Sequence, residues 1–228
     1  QSKQSLSCSW ITGIPNLVSL PPSLSQDERY MATSDLCDAL RKHAIASGRN
    51  VSRTRNTEDH DMNQDPSSAT SNSQTQMIDF ASEKKICDAV LRLVDDSSND
   101  VQAIAVKTLG VLVTCVHEDM VVAIAERLAS LVLDKDNGAL RDVYTIGLRT
   151  LVRTVPMNMG DIVSSRLAAG LLDGIRKYSP DILSKASLYE ATSKNKDKAK
   201  AIREDSLVAE QITLACLEIL TELLARFG

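Results

Sequence analysis

The sequence has few aromatic residues and lacks any apolar run long enough to cross a membrane. Phe, Trp and Tyr make up 3% of the 228 residues, whereas apolar residues together make up 43%. A core filled by Ala, Leu, Ile and Val suits close helix–helix packing better than a β-sandwich. No stretch approaches the roughly 18 apolar residues of a membrane span. Residues 10–22 contain Pro15, Pro21 and Pro22, which interrupt any secretory signal, so we expect no membrane partner.

Cysteine and histidine are also scarce, and no catalytic motif is found. The five cysteines include no Cys-x-x-Cys pair, which favours buried thiols in a reducing compartment, the cytoplasm and nucleus. The sequence contains no GxxxxGK[ST] loop, GxSxG elbow or HExxH motif. His60 lies in the segment EDHD (58–61), which has metal-ligand residue types, but we interpret it as part of a solvated insert. We therefore expect no enzyme activity, cofactor or metal.

The charge balance disfavours a nucleic-acid partner. The formal net charge is −4 and the isoelectric point is about 5.4, whereas nucleic-acid binders usually carry a basic face. One lysine-rich stretch lies within residues 184–205, but aromatic stacking residues do not alternate with its lysines beyond Tyr189. We interpret this stretch as a solvated charge run.

Apolar residues recur at one helical spacing in four places. Counting from Val101, they fall at offsets 0, 3, 4, 7, 8, 11, 12 and 15, which is the periodicity of an α-helix. Nearly the same template begins at Leu140, again at Ile212, and in a weaker form at Glu28. The template predicts four related helices, which we call the B helices. They are apolar on more than one side, as expected for helices packed between copies of themselves.

A second amphipathic segment precedes three of the B helices. These predicted A helices cover residues 82–95, 118–133 and 160–178. The unit is therefore helix A, a short polar turn and helix B, and the copies at Val101 and Leu140 are 140 − 101 = 39 residues apart. A helix-pair period near 40 is typical of HEAT and armadillo arrays. We predict an all-α HEAT-repeat solenoid of about four helix pairs.

Two long inserts interrupt this period. The B templates at Glu28 and Val101 are 73 residues apart, and those at Leu140 and Ile212 are 72 apart. The predicted boundaries follow from these gaps: an irregular N-terminal segment (1–26), a partial first repeat (27–45), a disordered insert (46–78), repeats two, three and the first helix of repeat four (79–183), a basic flexible insert (184–205) and the second helix of repeat four (206–228).

The polar residues of such an array predict a partner-binding surface, because solenoids bind along extended faces. The candidates on the B helices are polar residues that we expect to line the inner face of the array: Arg41, Lys107, Arg149, Arg153, Glu218 and Glu222. Candidates in the turns between A and B helices are acidic: Asp95, Asp96, Asp134 and Asp136. Arg41 and Arg153 share offset 13, which is compatible with one row.

Three stretches together resemble one family. DERYMATSDL (27–36), NDVQAIAVKTLGVLV (99–113) and ALRDVYTIGLRTLV (139–152) are similar to the first HEAT repeats of the cullin-associated, neddylation-dissociated proteins. The resemblance implies a non-enzymatic regulator that binds the C-terminal part of an unneddylated cullin with its RING subunit and promotes exchange of substrate receptors. Family members have many more repeats, which implies a missing C-terminal half or a second HEAT-repeat chain that completes the solenoid.

Other readings stay open from the sequence. A generic HEAT scaffold, such as part of a transport receptor or of a phosphatase scaffold, has the same repeat pattern and predicts cargo or catalytic-subunit binding without a cullin. An enzyme is the third reading, and it has no catalytic constellation to support it.

Overall fold

The computed structural model describes residues 24–48, 78–192 and 196–228, and in this part of the chain every long element is an α-helix. The helices are α1 (Gln26–Ala46), α2 (Phe80–Val94), α3 (Asn99–Leu112), α4 (Glu118–Leu133), α5 (Arg141–Thr154), α6 (Gly160–Thr192) and α7 (Lys196–Phe227). Short 3₁₀ turns at Lys135–Asn137 and Met157–Met159 precede α5 and α6.

The helices form two layers. Helices α1, α3, α5 and α7 pack in series as the B layer, and α2, α4 and α6 pack in series as the A layer. Each A helix also packs against the B helix that follows it, in the pairs α2/α3, α4/α5 and α6/α7. This arrangement is an α-solenoid, and the predicted fold class is confirmed.

The repeated apolar template accounts for the position of the core. Its residues in α3 and α5 are completely buried at Val101, Ala105, Leu109, Leu148 and Leu151. Helix α3 contacts α1, α2 and α5, so apolar side chains are buried on more than one of its sides. Burying this surface drives the stacking of the repeats.

Local signals determine where the first helices begin. Ser25 and Glu28 form a capping box at the start of α1, in which the Glu28 backbone N–H donates to Ser25 Oγ and the Ser25 N–H donates to Glu28 Oε2 (2.8 Å). At α2, the Asp79 carboxylate accepts from the Ser82 N–H (3.0 Å). Each cap satisfies backbone donors that the first turn of a helix leaves free.

The structure differs from the expected basic flexible insert at 184–205. Residues 184–192 continue α6, and residues 196–205 form the beginning of α7. Ala, Lys and Glu are strong helix formers and occur in both segments, so intrinsic propensity favours helix where apolar periodicity is weak. The N-terminal segment (1–26) lies outside the described residues up to residue 23. Most of the predicted disordered insert (46–78), including His60, also lies outside them.

Candidate partner-binding surface

Five of the six predicted charged residues of the B helices lie on α3, α5 and α7. The sixth, Arg41, lies on α1. Lys107 is exposed on α3, Arg149 is half-buried on α5 and Arg153 is exposed on the same helix. Glu218 and Glu222 lie on α7, which packs directly against α5. The structure therefore brings four of the six predicted residues together.

These four residues form ion pairs between α5 and α7. Arg149 Nη1 lies 2.8 Å from Glu218 Oε2, and Arg149 Nε lies 3.5 Å from Glu222 Oε2. Arg153 Nη2 donates to Glu222 Oε2 at 2.6 Å. The hydrogen bond from Arg153 holds the pKa of Glu222 below its ordinary value, and the same bond raises the pKa of Arg153. A ligand that binds here must compete with contacts that already neutralise these charges.

The remaining two predicted cations of the B layer, Arg41 and Lys107, are less engaged by carboxylates. Arg41 makes only a long contact with Asp38 of its own helix (3.4 Å), a pair that is typically weak at a surface. Lys107 has no ion pair among residues 24–48, 78–192 and 196–228. Between Arg41 and Arg153, the α3 residue at offset 13 is Thr114, which is buried, so the row of equivalent positions carries charge only on α1 and α5.

The aspartates of the turns divide into two groups. Asp96 is part of the fold, because Arg29 Nε and Nη2 donate to its two carboxylate oxygens at 2.7 and 2.9 Å. This contact lowers the pKa of Asp96. Asp95, Asp134 and Asp136 are exposed, and the Asp134 carboxylate accepts from the Asp136 N–H (3.1 Å). Three of the four predicted acidic residues thus remain accessible to a partner.

The last B helix presents apolar side chains on its free side. Leu214, Leu217 and Leu224 of α7 are 52%, 47% and 70% exposed. The residues of α5 at the offsets of Leu217 and Leu224 are Thr145 and Val152, which are buried in the solenoid. Helix α7 therefore exposes positions that its predecessor buries against a following helix. We call Leu214, Leu217 and Leu224 the α7 face.

Two buried polar residues escaped the sequence analysis. Glu83 of α2 is fully buried, where its carboxylate contacts His117 Nδ1 (2.7 Å) and accepts from the His117 N–H (3.3 Å) at the start of α4. Arg141 is 1% exposed, and burial lowers its pKa. The available signal was a charged residue at an otherwise apolar position: Glu83 comes three residues before Ile86 on the buried side of α2.

The described residues offer no alternative chemical site of a familiar kind. Among them, no group of three or more His, Cys, Asp or Glu side chains is placed to hold a metal ion. Within the same ranges, no helix has both the length and the apolar content needed to cross a bilayer. Burial raises the pKa of the Cys87 thiol to about 12 and that of Cys216 to about 11, which disfavours the reactive thiolate.

Comparison with known proteins finds relatives that match most of the chain. Cullin-associated NEDD8-dissociated protein 2 of Mus musculus is 30% identical over 217 residues, which are 94% of this chain and 13% of the mouse protein. Cullin-associated NEDD8-dissociated protein 1 of Drosophila melanogaster is 26% identical over 215 residues, 94% of this chain and 12% of the relative. The protein of the same name in Dictyostelium discoideum is 27% identical over 210 residues, 90% of this chain and 12% of the relative.

The chain thus spans only 12–13% of the length of these relatives. No protein-family model matches the sequence. The names of these relatives describe an association with cullins and no enzymatic reaction.

Proposed function

Since this chain belongs to the cullin-associated, neddylation-dissociated family, we propose that it regulates the assembly of cullin–RING ubiquitin ligases. It binds the C-terminal part of an unneddylated cullin together with the RING subunit and promotes exchange of substrate receptors. The observation that carries the proposal is the 30% identity to the mouse relative over 94% of the chain. The role is that of a non-enzymatic binding protein in the cytoplasm and nucleus.

The accessible charges of the B layer and of the turns supply a surface of the right kind. Arg41 and Lys107 are available cations, and Asp95, Asp134 and Asp136 form an acidic edge. The Arg149, Arg153, Glu218 and Glu222 cluster contributes through exchange of its internal ion pairs for pairs with the cullin. Mixed charge of this kind favours specificity and rapid association more than raw affinity.

The α7 face supports a further partner, a HEAT-repeat segment that continues the solenoid. The relatives are about eight times longer than this chain, since the chain spans 12% and 13% of them. Leu217 and Leu224 occupy the template offsets of Thr145 and Val152, which α5 buries in the solenoid, and Leu214 adds to the exposed apolar area. Either the remainder of a longer chain or a separate HEAT-repeat chain fits this face, and it supplies the contacts that this part lacks.

Binding of purified cullin–RING complex tests the proposal. We expect immobilised chain to retain the complex when the cullin is unmodified and to lose it when the cullin carries NEDD8. Charge reversal at Arg41→Glu with Lys107→Glu should weaken retention at least tenfold, since each removes an accessible cation. The matched control reverses two exposed arginines elsewhere, Arg176→Glu with Arg203→Glu.

Equal retention of modified and unmodified cullin would contradict the regulatory role. Absence of any cullin binding by the folded chain, both alone and together with the remaining repeats of the mouse relative, would reduce the function to that of a generic HEAT scaffold. Loss of binding in the control pair would show that the effect is one of net charge and not of the B layer.

A further inference from the structure

A groove separates α2 from α4 in the A layer, and Asp95 is the one residue of the proposed cullin surface that lines it. It encloses about 490 Å³, which lies within the range typical of ligand-binding clefts. The groove exists because α2 and α4 pack less closely than α4 and α6. The residues that line the groove belong to α2 and α4, together with Asp95, which directly follows α2.

The floor of the groove is apolar. Cys87 and Ile124 form its base and are 4% and 2% exposed. Leu91, Met120 and Leu131 are half-buried, so part of each side chain faces the opening. These three side chains pack against the hydrophobic core, and their exposed parts form an apolar surface in the groove. An apolar side chain of a partner would be removed from water there.

Unpaired cations border this floor. Lys84 and Arg92 of α2 and Arg127 of α4 line the groove, all three are exposed, and none forms an ion pair within the described part of the chain. Arg92 donates from its Nε to the Asp88 carbonyl oxygen (3.2 Å), a bond that does not use its terminal nitrogens. Two carboxylates, those of Asp88 and Asp95, also line the groove, so the three cations outnumber them.

The two arginines lie on opposite walls of the groove, one on α2 and one on α4. Arg92 lies in the last turn of α2, whereas Arg127 lies near the middle of α4. A planar guanidinium from each wall is suited to hold a carboxylate by charge-assisted, bidentate hydrogen bonds.

We propose that this groove is a docking site for an acidic peptide segment of a partner protein. Aspartate or glutamate side chains of the segment bind between Arg92 and Arg127. A neighbouring apolar side chain of the segment packs on Leu91, Met120 and Leu131. The site lies in the A layer and is independent of the cullin contacts proposed for the B layer.

Selection from a random 12-residue peptide display library on the immobilised chain tests the site. We expect the enriched peptides to combine Asp or Glu with Leu, Ile, Met or Phe. Measured by fluorescence anisotropy, a labelled peptide of this kind should bind Arg92→Glu with Arg127→Glu at least tenfold more weakly than the unaltered chain. The control pair Arg176→Glu with Arg203→Glu should bind it unchanged. The milder pair Arg92→Gln with Arg127→Gln replaces the charge reversal if circular dichroism shows loss of helix.

Three results would overturn the proposal. The first is the absence of enriched peptides. The second is enrichment without an acidic preference, or binding that the groove variants retain. The third is concentration-dependent dimerisation in sedimentation velocity that the groove variants abolish, because it would assign the groove to a second copy of the chain. Cullin retention is measured in parallel and should be unaffected by the groove variants, so failure of one proposal leaves the other distinguishable.

Discussion

At the scale of single residues, the side chains at one position of the B template donate hydrogen bonds to backbone carbonyl groups of the turns. Arg29, Gln102 and Arg141 each come one residue after the start of a template copy. Arg29 Nη1 donates to the Leu24 carbonyl (2.7 Å), and Gln102 Nε2 donates to the Asp96 carbonyl (2.6 Å). The buried Arg141 donates to the carbonyl oxygens of Val132 (3.1 Å), Asp134 (2.7 Å) and Lys135 (3.4 Å). These side chains satisfy backbone acceptors that the preceding helix end and turn leave open.

The substitution Arg141→Met tests this interpretation. Methionine fills much of the same volume but cannot donate, and an unsatisfied buried acceptor costs roughly 1–3 kcal/mol. We expect the free energy of unfolding, measured by urea denaturation, to fall by about 3 kcal/mol. Arg149→Met, at a half-buried position that pairs with carboxylates, should cost less than about 1 kcal/mol. Equal effects of the two substitutions would mean that water replaces the guanidinium of Arg141.

Asp96 predicts a specific dependence of stability on pH. Its folded pKa lies below the ordinary value because Arg29 donates to the carboxylate. The stabilisation is therefore present above the ordinary aspartate pKa, near 4, and is lost as the pH falls below that value through the folded pKa. Asp96→Asn should cost about 1 kcal/mol at pH 7. The difference from the unaltered chain should shrink below about pH 4 in chemical denaturation. A constant difference from pH 7 to pH 3 would contradict the assignment.

The sequence reveals such residues only in part. A charged residue at an apolar template position, such as Glu83 or Arg141, indicates a buried polar contact, but the partner is a matter of tertiary structure. Arg29 and Asp96 are 96 − 29 = 67 residues apart, and the pairing follows from the packing of α1 on α3. Likewise, the sequence shows the charges of Arg149, Arg153, Glu218 and Glu222. Their ion pairs, however, depend on the packing of α5 against α7.

At the scale of whole helices, two glycines of α6 have opposite surroundings. A Cβ added at Gly170 would have no atom within 4 Å, whereas one added at Gly174 would collide with Leu133 and lie 3.3 Å from Cys216 Sγ. Gly170 therefore costs α6 helix stability without a packing reason. Gly174 allows α6 to approach α4 and α7 closely.

Alanine at these two positions should have contrasting effects. Gly170→Ala should stabilise the chain by up to about 1 kcal/mol, the difference in helix propensity. Gly174→Ala gains the same propensity but overpacks an interface, which typically costs about 1–3 kcal/mol. We expect the thermal unfolding midpoint to rise for the first variant and to be unchanged or lower for the second. A similar rise for both would show that Leu133 moves aside without cost.

Helix position was more predictable than helix length. The template starting at Leu140 predicted a helix over 140–155, and α5 covers Arg141–Thr154. The copy at Ile212 marks only the second half of α7, which begins at Lys196. Apolar periodicity marks the turns that contact a neighbour. Exposed turns depend on propensity and capping, which give a weaker signal.

At the scale of the molecule, the two layers serve different partners in our proposals. The B layer carries the accessible cations Arg41 and Lys107, and the A layer carries the groove bordered by Arg92 and Arg127. The repeat period was sufficient to predict the solenoid, because stacking is implied by helices that are apolar on several sides. The groove was not predictable, since it depends on how far α2 and α4 are separated.

The interval of one repeat between α3 and α5 predicts that a single repeat can be deleted from the chain as a unit. Because the templates at Val101 and Leu140 coincide after 39 residues, deletion of residues 101–139 joins Asp100 to Leu140 and preserves the phase of every apolar position. In a solenoid whose stability is a sum over nearest neighbours, the shortened protein should remain folded, with unchanged helicity per residue in circular dichroism and a lower unfolding midpoint. Loss of cooperative unfolding would show that the copies are not interchangeable. A gene encoding this protein can accordingly lose or duplicate such a unit and still specify a continuous core.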